Sequence, residues 1–232
     1  MTKGKLYGLG VGPGDRELIT LKAARILREA DIIAVPDKGS VEKTALNIVR
    51  EHVEGKELLF CPTPMVRDEA VLERCFEEIA DRLCEKLDEG RTVAFITLGD
   101  PTVYSTYMYI HSRVSGRGYE AELVPGVTSF CAAAARLGKP LCEKSERLLI
   151  VPASHKDISD CLEADANLVF MKAGREIGAL RERLAESGLL SRASMVENCG
   201  MDGEKVYERF ADAPEGSGYF SVVIVKNGDS DR

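Results

Sequence analysis

Residues 92–106, TVAFITLGDPTVYST, decide how the rest of the chain is read. Thr92 to Leu98 is a short uncharged run of Val, Phe, Ile and Thr, the pattern of a strand buried on both faces. It stops on Gly99, Asp100 and Pro101, a turn signal, and residues 102–110 then read as the entry to a helix. A buried parallel-type strand ending this way carries three things at its carboxyl end: a backbone that a ligand can approach, a carboxylate and a fixed bend. Open α/β sheets bind ligands there. The turn has a plainer reading as well, in which Asp100 only satisfies backbone N–H groups.

Strand and helix patterns alternate on either side of this stretch. Lys5 to Val11 reads as a first strand running into the glycine loop 10–15, GVGPGD. That loop is not the dinucleotide fingerprint GxGxxG, because its third glycine falls on Pro13 or Asp15. Thr20 is a predicted N-cap for a helix through Ala30. Asp31 to Val35 is a strand halting at Pro36, and 41–53 is an amphipathic helix with Ala45, Ile48, Val49 and Val53 inward. Glu57 to Cys61 is a strand, followed by a long helix from about Asp68 to Glu89. The apolar face of that helix is Val71, Leu72, Cys75, Ile79, Leu83 and Leu87. A helix over 106–117 and a strand from Glu120 to Val124 complete the first half. This order predicts parallel pairing with right-handed crossovers.

VPGVTSF, 124–130, is another strand-end loop, with Thr128 or Ser129 capping a small-residue helix over 130–137. The domain boundary is placed near 125–145, giving domains 1–125 and 126–232. The second half predicts strands at 147–151, 167–171, 193–197, 205–210 and 221–225. Helices are predicted over 157–162 and 177–187, the latter with Gly188 as its C-cap. The close spacing of the last strands, with Asp202-Gly203 as a turn, suggests a hairpin and a mixed sheet. The tail from Asn227 to Arg232 is expected to fray. The fold class is therefore α/β: two α/β domains, the N-terminal sheet largely parallel and the C-terminal sheet mixed.

Composition narrows the partners. The net charge of −7 argues against a phosphate backbone as partner, so no nucleic acid is expected. No apolar run approaches the roughly 20 residues that span a bilayer, so no membrane partner is expected either. The start of the chain does not resemble a signal peptide. Seven scattered cysteines and three distant histidines show neither zinc-ligand nor disulfide spacing. The expectation is a cytoplasmic protein that holds no metal and uses its cysteines as small apolar fillers.

Taken in order, GVGPGD at 10–15, LITLKAARIL at 18–27, GDP at 99–101, VPGVTS at 124–129 and VENCG at 196–200 resemble the tetrapyrrole methylases. These are S-adenosylmethionine-dependent enzymes of corrin and sirohaem synthesis, and the resemblance covers essentially the whole chain. GDPTVYSTYMYI, 99–110, is similar to the branch that methylates C20 of precorrin-2 or of its cobalt form, cobalt-factor II, on the route to cobalamin. The resemblance implies a homodimer whose cofactor lies in a trough between two lobes and whose tetrapyrrole substrate binds in the same trough. It implies that Pro13 lines the cofactor pocket and that Leu98, Gly99, Asp100 and Val103 contact the cofactor, largely through backbone. It places Thr128 and Ser129 beside the methionine carboxylate or ribose, and Met171, Cys199, Gly200 and Ser221 around the adenine. Ser221 stands where a small apolar residue is the family pattern. S-adenosyl-L-homocysteine is the implied product.

Methyl transfer from sulfonium to carbon is an in-line displacement needing alignment and a dry, preorganised site, with no metal and no nucleophilic side chain. A proton leaves C20, for which an acceptor is useful; Asp100, the motif carboxylate at the centre, is the candidate catalytic residue, to steady the sulfonium or steer a tetrapyrrole nitrogen. The substrate's many carboxylates predict basic partners among Lys38, Arg113, Lys139, Lys144, Arg147, Lys172 and Arg175. Tyr104 and Tyr107 are candidates to pack on the macrocycle, with a core role as the plainer reading. The alternatives are a methylase acting at another tetrapyrrole site, on RNA or on protein, a nucleotide-binding oxidoreductase, and a non-catalytic binder.

Overall fold

The computed structural model describes residues 3–37, 39, 43–64, 66, 68–153, 155 and 157–227, the side chain of Arg175 excepted. The expected helix start at residue 41, and Lys38, lie outside the described residues, as does the tail beyond Asn227. The chain divides into two compact units, Met1–Thr128 and Ser129–Arg232.

The first unit runs β1 (Lys5–Gly10), α1 (Leu21–Glu29), β2 (Ile32–Asp37), α2 (Thr44–Val49), β3 (Glu57–Pro62), α3 (Glu69–Asp88), β4 (Val93–Thr97), α4 (Tyr107–Gly116) and β5 (Glu120–Val124). Its five strands lie in the order β3-β2-β4-β1-β5 and every pairing is parallel. Alternate strand residues supply two cores. Leu6, Ile32, Val93 and Phe95 pack with α3 and α4 on one face, while Leu9, Ile33, Ala94 and Ile96 pack with α1 and α2 on the other. All five residues of β4 are buried, as its uncharged run predicts. The α1 cap forms as expected: the Ala23 N–H donates to Thr20 Oγ1 at 3.1 Å, an interaction typically worth about 1 kcal/mol.

Three expectations need correction in this unit. α2 gives way after Val49 to a 3-10 turn over Arg50–His52, short of the expected end at Val53. β2 continues through Pro36 to Asp37. It pairs with β4 only over Ile32–Ala34, so at Pro36 β3 is the only neighbouring strand, and a residue without an N–H is tolerated there. The buried stripe of α3 also includes Phe76, Ala80 and Cys84, whereas Val71, Leu72 and Cys75, near its start, are half-exposed.

The second unit runs α5 (Ser129–Leu137), β6 (Leu148–Pro152), α6 (Ser159–Glu163), β7 (Asn167–Met171), α7 (Ile177–Glu186), β8 (Ala193–Glu197), β9 (Lys205–Tyr207) and β10 (Ser221–Val225). The strand order is β6-β7-β10-β8-β9. β6 and β7 are parallel, and β8 and β9 form the expected antiparallel pair. β10, the last strand in the chain, enters antiparallel between β7 and β8. α7 covers one face with Ile177, Leu180 and Leu184 over Phe170, Met195 and Val223, and α5 packs against β8 and β10. β9 is shorter than expected: the chain leaves the sheet after Tyr207, and Phe210 starts a 3-10 turn whose ring is fully buried.

Candidate functional site

In the first unit the site is built by the order of the strands. β1 and β4 are neighbours, yet the helices that follow them, α1 and α4, cover opposite faces of the sheet. The two connections therefore part at the carboxyl ends of these strands, which is the switch point where α/β sheets take ligands. The backbones meet there. The Gly99 N–H donates to Gly12 O at 2.7 Å, the Gly12 N–H donates to Gly99 O at 3.3 Å, and both residues have positive φ. The loop after β5 closes on the same place. A Cβ at Gly126 would stand 2.2 Å from Gly99 O, and one at Gly10 would stand 2.5 Å from Gly126 N, so only glycine permits this packing.

Asp100 ties these loops together. It is 8% exposed. Its Oδ2 accepts from the Gly126 N–H at 2.9 Å, and its Oδ1 accepts from the Thr102 N–H at 2.8 Å and from Thr102 Oγ1 at 2.5 Å. Pro13, Leu98, Gly99, Asp100, Val103 and Thr128 thus belong to three neighbouring strand-end loops of one unit. Pro13 is buried, Leu98 and Val103 are half-buried. Tyr104 adopts φ 47 in the second loop and is 46% exposed, whereas Tyr107 is core, with its ring against Gly8 and its hydroxyl 3.2 Å from His111 Nδ1. Burial pushes the Tyr107 hydroxyl pKa up and the His111 pKa down.

The second unit gathers its predicted residues at one sheet end too. β7 ends on Met171 and β8 on Glu197, while β10 begins at Ser221, directly opposite Glu197 and one step from Met171's partner. Cys199 and Gly200 follow in the turn after β8. There the Gly200 N–H donates to Glu204 Oε2 at 2.8 Å, and this bond is the main reason the Glu204 carboxyl lies below the usual carboxylate range. Ser221 is 1% exposed and its Oγ donates to Gly218 O at 2.7 Å, so the departure from an apolar residue has an internal partner. Ser129 is the first residue of α5. The residues after β7 and β8, Lys172 and Asn198, have φ of 58 and 52, left-handed backbone in residues other than glycine.

Among the described residues, five buried side-chain atoms lack a hydrogen-bond partner: Thr63 Oγ1, Thr97 Oγ1, Thr128 Oγ1, Glu197 Oε2 and Arg181 Nε. The first four lie at the carboxyl ends of strands or in the loops that leave them. Buried polar groups without partners are rare, and their gathering at strand ends marks the edge that meets a ligand. Of these, Thr63, Thr97 and Glu197 are assigned no role by the sequence, although Glu197 stands in the VENCG motif. The signal for Glu197 was present, a single charge closing the apolar run ASMVE. Nothing in the sequence separates Thr63 and Thr97 from ordinary strand threonines.

The basic candidates divide. Arg113 is held by Glu73 and Glu77, and Lys139 by Ser194 Oγ at 2.7 Å and Glu208 at 3.1 Å. Both act within their own unit. Lys144 and Arg147 are exposed and Lys172 is half-buried. The cysteines Cys61, Cys84 and Cys199 are buried as expected, but Cys131 and Cys142 are exposed. No described helix is long and apolar enough to cross a membrane.

A parallel α/β unit with its ligand edge at a β1/β4 switch, followed by a mixed α/β unit with glycine turns at one sheet end, defines a two-unit, ligand-binding α/β protein. The model of the Tetrapyrrole (Corrin/Porphyrin) Methylases matches residues 5–214, and the chain belongs to that family. It is 37% identical to a cobalt-precorrin-2 C(20)-methyltransferase of Salmonella typhimurium, with 96% of each chain covered. It is 35% identical to a probable cobalt-precorrin-2 C(20)-methyltransferase of Methanocaldococcus jannaschii, again over 96% of each. Among solved structures, a cobalt precorrin-4 methyltransferase superposes with a TM-score of 0.78 at 20% identity, covering 95% of this chain and 94% of that one, a likeness of fold.

Proposed function

We infer that this chain is an S-adenosylmethionine-dependent methyltransferase acting on C20 of precorrin-2 or its cobalt form, in the making of cobalamin. The observation that carries the reading is the full-length similarity to C(20)-methyltransferases at 37% and 35% identity. Family membership displaces the oxidoreductase alternative. The strand-end loops fit a sulfonium donor. The glycine contacts leave backbone close to the ligand edge, and the buried, unpartnered Thr128 Oγ1 suits the methionine carboxylate or ribose assigned to it. The donor residues proposed in the first unit are Pro13, Leu98, Gly99, Val103 and Thr128; those proposed in the second are Ser129, Met171, Cys199 and Gly200. Ser221 acts through Gly218.

When bound, the donor supplies an electrophilic methyl group. The protein's part is alignment. The Gly12–Gly99 bridge fixes the height of the β4 turn, and Asp100 fixes Gly126 against it. Asp100 is read here as a positioning residue, since its two oxygens accept three hydrogen bonds from loop donors. Residues 1–125 are assigned the substrate and part of the donor site, residues 126–232 the rest, and the chain is taken to work as a homodimer in the cytoplasm. Mass spectrometry with labelled methyl donor and precorrin-2, with and without cobalt, tests the activity. One added methyl at C20 in either arm is the expected result, and the productive arm identifies the substrate. Modification elsewhere on the ring, or none, would sink the assignment.

A further inference from the structure

We propose that Glu197 is a positioning residue for donor binding, acting by clamping Gly218. The proposal rests on the donor site assigned above. Glu197 is 6% exposed at the end of β8, and its Oε1 accepts from the Gly218 N–H at 2.5 Å. The other side of Gly218 is held as well, because its carbonyl accepts from Ser221 Oγ at 2.7 Å. Gly174, after β7, leaves the room: a Cβ there would stand 2.6 Å from Gly218 O and 2.9 Å from Tyr219 Cα. The segment is bolted further along, where the Asn198 N–H donates to Phe220 O at 3.0 Å. Residues 218–221 are thereby fixed to the ends of both β7 and β8, beside Met171 and Cys199.

The chemistry is unusual for a purely structural contact. The second carboxylate oxygen of Glu197, Oε2, is buried with no hydrogen-bond partner. Keeping an acidic group there opposes stability. The structure therefore assigns Glu197 a function in shaping the donor-binding turn, one that stability alone does not select.

Calorimetric binding of S-adenosylhomocysteine to the full chain tests this, with tetrapyrrole binding followed by absorbance. Glu197→Ala is expected to weaken S-adenosylhomocysteine binding by about tenfold or more, because the Gly218 N–H is left without its acceptor. Tetrapyrrole affinity and kcat at saturating donor are expected to stay unchanged. Glu197→Gln keeps an oxygen for the same N–H and should restore binding to within about threefold. Unchanged donor binding in Glu197→Ala, an equal loss in Glu197→Gln, or a matching loss of tetrapyrrole affinity would each overturn the proposal. If Glu197→Ala does not fold, Ser221→Ala decides: weaker donor binding supports the clamp and unchanged binding overturns it. If the unsubstituted chain itself fails to bind S-adenosylhomocysteine, the donor site falls and this inference with it.

Discussion

The two units solve one problem with different sheets. Each must hold several loops at one sheet end, and each uses a buried carboxylate at or just past a strand's end to grip a glycine N–H from another loop: Asp100 to Gly126, and Glu197 to Gly218. In the all-parallel first unit the gripped loops leave the carboxyl ends of β1, β4 and β5, so chain direction alone brings them together. In the second unit β10 runs the other way, and the loop brought to the carboxyl ends of β7 and β8 is the one entering its amino end. The first unit packs backbone on backbone through glycines. The second bends through Lys172 and Asn198 at positive φ, and uses side-chain bonds from Ser221 and Glu204. The lesson is that a carboxylate clamp and close glycine packing, here Gly174 against Gly218, both survive the change of strand direction, whereas the three-way meeting of Gly10, Gly99 and Gly126 belongs to the parallel edge.

The substitution that should break this contrast most sharply is Gly126→Ala. Its Cβ would meet backbone at the end of β1 and in the loop after β4. Overpacking of this kind typically costs about 1–3 kcal/mol. Turnover should fall at least a hundredfold as the loops part, because alignment errors near 1 Å are that costly, and thermal melting with a steady-state assay would show both. A smaller effect is expected of Asp100→Ala, which leaves the Gly126 and Thr102 donors without their acceptor. A hydrogen bond to a charged acceptor is typically worth about 1.5–3 kcal/mol, so turnover should drop roughly ten- to a hundredfold. Under a positioning role, Asp100→Asn keeps the shape of the wild-type pH–kcat profile. Loss of its acid limb would show instead that this carboxylate takes the proton.

Acid should weaken the turn held by Glu204 in the second unit. The Glu204 pKa lies below its ordinary 4.5 because of the Gly200 N–H and then Arg136. Its contribution is thus full above about pH 4.5 and is lost as pH falls through the lower folded value. Wild type should melt higher than Glu204→Gln at neutral pH, and the gap should close below pH 4.5. A gap independent of pH would remove Glu204 from the account. Least of all should Tyr107→Phe matter: loss of the His111 contact costs about 0.5–1.5 kcal/mol, and turnover should stay within about twofold. A larger fall in turnover would move that ring from the core into the site.

Much of this was legible in the chain. Within the uncharged run Thr92–Leu98, Val93–Thr97 became a strand buried at every residue, because only burial on both faces suits such a sequence. Glu120–Val124, Asn167–Met171, Ala193–Glu197 and Ser221–Val225 begin and end where turn residues and periodicity place them. The loops bearing the family motifs were visible as glycine-rich strand ends. Pro36 misled because a proline ends a strand only where its missing N–H faces a partner, and β4 stops pairing two residues earlier.

What the sequence determined by itself is local: periodicity, caps, turns, the parallel first half and the ordered motifs that name the family. Tertiary structure alone decided which strand lies beside which, and so which distant groups meet. The slot of β10 between β7 and β8, the meeting of Gly10, Gly99 and Gly126, and the grip of Glu197 on Gly218 all join residues remote in sequence. No local pattern encodes such pairings, because they depend on how whole faces of side chains pack, and packing is settled only when the sheet has closed on its helices.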